Sequence, residues 1–163
     1  MSQKSTTLVI PLLAIFWDWQ NVKATEKQIQ CLMMFAYAKG HVVLEQAYAD
    51  WGKENQKLAN LLFDLLDCIH VPSSKDKKNR ADYELIKHCR QRVLNNPDIS
   101  TVILLSGDGD FASLVNELKA KGKKVIVIAH SDKRTSRKLK ESANEFCLLS
   151  QIERRFSNLL LVA

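Results

Sequence analysis

Thr101-Val102-Ile103-Leu104-Leu105-Ser106-Gly107-Asp108-Gly109-Asp110-Phe111 joins an apolar run to a turn bearing two acids. Leu114, Val115 and Leu118 follow at helical spacing, so the acids sit where a strand hands over to a helix. Two neighbouring carboxylates repel each other unless a cation or a shared proton intervenes. An earlier apolar run, Leu12 to Trp17, ends in Asp18 and Asn21 in the same way. If both runs are buried strands, their acids can converge despite their separation in sequence.

The same alternation extends along the chain. Apolar runs at 13–17, 42–48, 68–71, 101–105 and 124–129 are nearly continuous, as in parallel strands covered on both faces. Between them, helical spacing links Ile29, Leu32, Met33 and Ala36, then Leu58, Leu61, Leu62 and Leu65, then Ile86, Cys89 and Val93 within a helix expected over 83–94. Gly40 and Gly122 stand where helix ends favour a left-handed residue, and Asn95-Asn96-Pro97 stops the third helix. A last strand near 145–149 and a terminal helix from about 151 complete the pattern. It predicts a three-layer α/β sandwich with a mainly parallel central sheet. With 5 Gly, 3 Pro and no linker, one domain over residues 1–163 is expected, its core at about 12–150. Ligands of such sheets bind outside the carboxyl ends of the strands. Asp18, Asp50, Asp108 and Asp110 all follow strands.

Composition narrows the partners. The 163 residues are 46% hydrophobic, enough for a sizeable core, and the net charge of +6 favours a polyanion. Lys75, Lys77, Lys78 and Arg80 form one basic cluster; Lys133, Arg134, Arg137, Lys138 and Lys140 form another. Cys31, Cys68, Cys89 and Cys147 share no metal-binding spacing and read as reduced core thiols, which points to the cytoplasm. The run from Leu8 to Trp17 contains Pro11, lacks a small-residue cleavage site and is too short to span a bilayer, so no membrane association is expected. His41, His70, His88 and His130 show no metal-ligand spacing, and no Walker or Rossmann glycine loop is present.

Each acid also has a purely architectural reading. Asp108 or Asp110 could cap the following helix, with Gly107 and Gly109 permitting the turn, and Ser106 could be a turn residue. Asp18 and Asn21 could cap a helix near Lys23, and Asp50 one near Glu54, with Asp50 otherwise a reserve ligand. Asp82, in a first helical turn, is favoured there by the helix dipole alone, and Glu84 should face another side. Trp17 and Trp19 flank Asp18; one is expected in the core, the other there or stacked on a base. One cap needs one acceptor, however, so paired acids favour a site. Carboxylates without His or Cys suit Mg²⁺ or Mn²⁺, which activate water and neutralise phosphodiester charge. An acidic centre with a basic rim is the electrostatics of a metal-dependent nuclease.

Phe16-Trp17-Asp18-Trp19-Gln20-Asn21, Arg80-Ala81-Asp82, Leu105 to Phe111 and Lys121-Gly122-Lys123-Lys124-Val125-Ile126-Val127 together resemble the NYN domain. That family includes LabA-like proteins and belongs to the PIN-like nuclease superfamily. The resemblance, over about residues 12–150, implies a Rossmann-like sheet and cleavage of RNA, as a single strand, at acids holding Mg²⁺ or Mn²⁺. It maps Asp18, Asp82, Asp108 and Asp110 to catalysis and metal binding. Asn21, Ser106, Lys75, Lys77, Lys78, Arg80, Lys133, Arg134, Arg137 and Lys138 would bind substrate. A homodimer is compatible with it. Many relatives carry a further acid on the helix after the Asp82 position, where this chain has Ile86, Lys87 and His88. That departure leaves a non-catalytic RNA-binding or regulatory module as the alternative. Gly107-Asp108-Gly109-Asp110 is also similar to a late motif of haloacid-dehalogenase phosphatases, but Gln20 occupies the position of their essential second Asp.

Overall fold

Six strands alternate with six α-helices in the computed structural model, which describes residues 8–73 and 80–160. The strands are β1 (Leu12–Asp18), β2 (His41–Ala49), β3 (Asp67–His70), β4 (Ile99–Leu105), β5 (Lys124–Ala129) and β6 (Glu145–Leu148). The helices are α1 (Glu26–Lys39), α2 (Gln56–Leu65), α3 (Arg80–Cys89), α4 (Ala112–Ala120), α5 (Arg137–Ser142) and α6 (Leu149–Leu160). All strand pairs are parallel, in the order β3-β2-β1-β4-β5-β6. This is the three-layer α/β sandwich with a parallel sheet that the alternating pattern predicts, and it has the Rossmann-like sheet that the resemblance implies.

Strand alternation divides the core in two. On β1, Leu13, Ile15 and Trp17 face one side and pack with Ile29 and Leu32 of α1, Leu62 of α2 and Ile152 of α6. Ala14 and Phe16 face the other side, with Leu85 of α3, Val115 of α4 and Leu139 of α5. Burying such a Leu, Ile or Phe side chain contributes about 1.5–3 kcal/mol. The order of the strands then does the rest. The chain leaves β1 toward β2 and β3, crosses back, and continues from β4 on β1's other flank. The carboxyl ends of β1 and β4 therefore border the switch-point crevice where ligands of such sheets bind.

Local starts and stops follow the sequence with some corrections. Thr25 and Gln28 form a capping box at α1, at 3.2 and 3.1 Å. Asn55, not Asp50, caps α2, accepting from the Leu58 N–H at 3.1 Å. Gly122 has the left-handed φ of 79° expected after α4. Gly40 does not: its φ of 169° is extended, and its need for glycine is steric. A Cβ there would lie 2.4 Å from the Pro11 carbonyl oxygen. The helix expected over 83–94 begins at Arg80 and turns from α to π geometry over Arg90–Leu94. The terminal helix begins at Leu149, two residues early.

The four cysteines are free thiols; Cys31 and Cys89 are in the core as expected, whereas Cys68 and Cys147 are only half-buried. Burial pushes Cys89 up to about 12, so it is inert at neutral pH. Among the described residues, no helix is long and apolar enough to cross a membrane.

Candidate metal centre

Strand parity aims the first acid. Asp18 ends β1 and continues the Ala14–Phe16 side, toward the layer that contains α3. Ser106, just past β4, continues the Val102–Leu104 side toward the same layer. Both are buried, and the Ser106 hydroxyl donates to Asp18 Oδ2 at 3.2 Å. A register slip of one residue would have sent both side chains into the opposite core.

The loop after β4 is held from both sides. The Gly107 N–H donates to Asn21 Oδ1 at 2.8 Å, which ties it to the end of β1. The Asp108 N–H donates to Ser106 Oγ at 3.1 Å, and the Asp110 N–H to Asp108 Oδ1 at 2.9 Å. Asp108 thus caps the 3₁₀ turn Gly109–Phe111 through Oδ1. On the far side, the Ser136 N–H donates to the Gly107 carbonyl at 3.0 Å.

Neither Gly107 nor Gly109 has positive φ, so turn geometry is not why they are glycines. They make room. A Cβ on Gly109 would lie 2.7 Å from Ser136 Oγ and 3.0 Å from its Cβ. Gly109→Ala should therefore destabilise the protein by about 1–3 kcal/mol through overpacking. Adding Ser136→Gly should restore most of that loss in a denaturant melt. Equal stability of wild type and Gly109→Ala would show that the loop yields freely.

Three acids meet in front of this loop. One oxygen from each of Asp82, Asp108 and Asp110 lies within 4.8 Å of the others. Asp82 arrives from the first turn of α3, across the crevice from the loop. Burial pushes its carboxyl up to about 8, and the charges of Asp18, Asp108 and Asp110 add to the rise. Burial also raises Asp18 to about 6, against hydrogen bonds from Ser106 and Asp82 and with the charge of Asp108. Asp18 is thus joined to the triplet through Asp82 without being one of its members. Among the described residues, no Lys or Arg forms an ion pair with any of the four.

The sequence matches the NYN domain over residues 12–150, a span that contains all four acids. The chain belongs to the NYN domain family. The family lies among the PIN-like nucleases. None of the curated proteins matches the sequence. A crystal structure of a Vibrio parahaemolyticus protein of unknown function superposes with a TM-score of 0.71 at 24% identity, covering 87% of this chain and 94% of that one. At that identity the likeness shows the fold alone.

Around the acids of this NYN domain the other predicted residues fall into distinct places. Arg80 is exposed at the start of α3, two residues before Asp82. Lys75, Lys77 and Lys78 lie outside the described residues. Lys133, Arg134, Arg137 and Lys138 are on the loop after β5 and the start of α5, flanking Ser136, which touches the acidic loop. Arg137 is partly committed to Glu141 at 2.7 Å, and Lys140 to Asp132 at 2.9 Å. Asn21 spends its carbonyl on Gly107, so it positions the loop.

Two expectations are corrected by geometry. Asp50 is no reserve ligand: its Oδ2 accepts from the Ser73 N–H at 2.9 Å and hydroxyl at 2.7 Å, which hold its carboxyl below the usual range. Trp17 and Trp19 are both buried, with indole N–H groups donating to the Val22 carbonyl and Glu54, so neither can stack on a base. His88 joins a polar chain, its Nδ1 2.8 Å from the Tyr48 hydroxyl and its Nε2 3.6 Å from Glu84. Glu84 faces that chain, on another side from Asp82, as its spacing predicts.

Proposed function

We propose that this NYN domain is a ribonuclease that hydrolyses phosphodiesters of single-stranded RNA with Mg²⁺ or Mn²⁺. The observation that carries the reading is the Asp82–Asp108–Asp110 triplet, whose oxygens converge within 4.8 Å with no described cation to neutralise them. The donor set fits the ion: oxygens only, half-buried to exposed, held by α3 and by a loop pinned at both sides. Asp82, Asp108 and Asp110 would hold the cation, with Asp18 behind them. When bound, it supplies an activated water and neutralises charge on the phosphate.

The chain's own residues do the remaining work. Ser106 and Asn21 fix the directions of Asp18 and the acidic loop, so the carboxylates are placed before any ligand arrives. The high proton affinity of Asp82 means that it gives up a proton when a cation binds, which makes loading favour alkaline pH. Arg80 and the Lys133–Lys138 cluster would grip phosphates on either side of the acids. The direct test is a labelled single-stranded RNA incubated with purified protein. Cleavage should appear with Mn²⁺ and stop with EDTA.

A non-catalytic RNA-binding role is the second reading, favoured by one feature. Where many relatives place a further acid on α3, Lys87 is exposed and His88 is held by Tyr48, so no fifth carboxylate is supplied. RNA bound without cleavage, in Mn²⁺, would select it.

Both readings need the basic rim. Replacing Lys133, Arg134 and Lys138 by Ala should weaken binding to single-stranded RNA whatever its sequence. The slope of log K against log[salt] should flatten by about 0.7 for each phosphate that is no longer neutralised. Arg137→Ala should have the smallest effect, because Glu141 already holds its guanidinium. A salt slope identical to wild type would mean that these charges face only solvent.

A further inference from the structure

A groove of about 380 Å³ runs between α3 and α4 and opens at the acidic triplet, because Asp110 belongs to both. Ile86 of α3 and Leu114 of α4 contribute its apolar lining, while Tyr83, Lys87 and Gln91 line its α3 side. Tyr83 is 64% exposed at the rim of this groove. Trp17, Trp19 and Phe111, next to Asp18 and Asp110 in sequence, and Tyr48, paired with Asp18 across the sheet, are almost wholly buried, whereas Tyr83 offers an open ring face one residue from Asp82.

We infer that this groove is a nucleobase subsite: Tyr83 stacks the base of the nucleotide next to the phosphate at Asp110, and Lys87 meets the adjoining phosphate. The inference rests on the ribonuclease reading for its substrate class, and it names the residues that choose how the strand lies.

Four observations support it. The volume is in the range of about 300–1,000 Å³ typical of small-ligand pockets, and its mixture of apolar wall and few polar groups is what such pockets use. Tyr83 and Lys87 are four residues apart on α3 and share a face, which places a cation one turn from the ring. Among the described residues Lys87 has no carboxylate partner, whereas Arg90 is committed to Glu117 by two bonds of 2.8 Å. The helix also changes to π geometry at Arg90, where Arg90 and Gln91 turn along the groove. Such π turns are rare and concentrate at functional sites. A base has an apolar face for Tyr83 and a polar edge for Gln91, and its backbone carries the negative charge that Lys87 lacks a partner for.

The test measures binding of labelled oligouridylate by anisotropy in EDTA, beside the same length of abasic ribose phosphate, and then cleavage of the oligouridylate in Mn²⁺. Tyr83→Ala should bind oligouridylate about tenfold more weakly, the lower part of what one stacked base contributes. Tyr83→Phe should bind like wild type, because it keeps the ring. The abasic strand should bind wild type and Tyr83→Ala alike. Melting temperatures should match, since the ring is exposed. Equal affinity of wild type and Tyr83→Ala for oligouridylate overturns the subsite, and continued Mn²⁺-dependent cleavage would then leave the ribonuclease reading standing. A Tyr83→Ala loss of equal size on both strands also overturns it, because the ring would not be reading bases. A base-dependent loss without cleavage by either protein supports the subsite and removes the ribonuclease reading.

Discussion

Asp110→Asn should cleave a labelled single-stranded RNA in Mn²⁺ more slowly than wild type by well over about tenfold, more than 1.4 kcal/mol of transition-state stabilisation. Asp18→Asn should do the same. Asp110 is the exposed member of the triplet, so the substitution removes a charge without disturbing the core. The loop it belongs to is held by backbone bonds that Asn leaves in place. RNA affinity should change little, because the rim supplies binding. It should rise slightly if removing one negative charge eases the approach of phosphate. Equal cleavage by wild type and Asp110→Asn would expose a contaminating nuclease. No cleavage by either, with RNA still bound, would move the protein to the regulatory reading.

The second large effect is on stability. In EDTA the melting temperature should fall as pH rises from about 5 to about 8.5, and the sign follows from the protons. Asp18 and Asp82 bind protons more tightly folded than unfolded, at about 6 and about 8 against 3.8. Their contribution is complete below the unfolded value and is lost as pH climbs through the folded ones. Solvent screening at the half-buried Asp82 holds the expected loss to about 1–2 kcal/mol, or about 2–8 °C for a chain of this size. Asp82→Asn should flatten that limb. Millimolar Mn²⁺ should raise the wild-type melting temperature most at alkaline pH, since the cation replaces the protons and binds only the folded state. Asp108→Asn should lose the Mn²⁺ increment. A wild-type melt indifferent to both pH and Mn²⁺ would rule out the metal centre.

How much of this was legible in the sequence depends on range. Strands buried on both faces write themselves as apolar runs, so the sheet and its direction could be read from the five runs and the helical spacing between them. That Asp18 could meet Asp108 and Asp110 followed from two strand ends, whereas the arrival of Asp82 was legible only through the motif resemblance, because nothing local ties α3 to the loop after β4. Gly40 and Gly109 were misread because a glycine's steric role depends on a neighbour distant in sequence, Pro11 in one case and Ser136 in the other. Asp50 was open for the same reason, since Ser73 claims it from another loop. Tyr83 passed unnoticed: an exposed aromatic on a helix carries no periodic signal until the facing helix shows that a groove lies beside it.

The strand order also governs when the protein can first act. Ser106 meets Asp18 across 88 residues, and β4, the fourth strand to be synthesised, must slot beside β1, the first. A chain still emerging from the ribosome holds Asp18 and Asp82 without the loop that completes the triplet. The proposed cleavage would therefore be withheld from the growing polypeptide until the segment carrying Asp108 and Asp110 has left the exit tunnel.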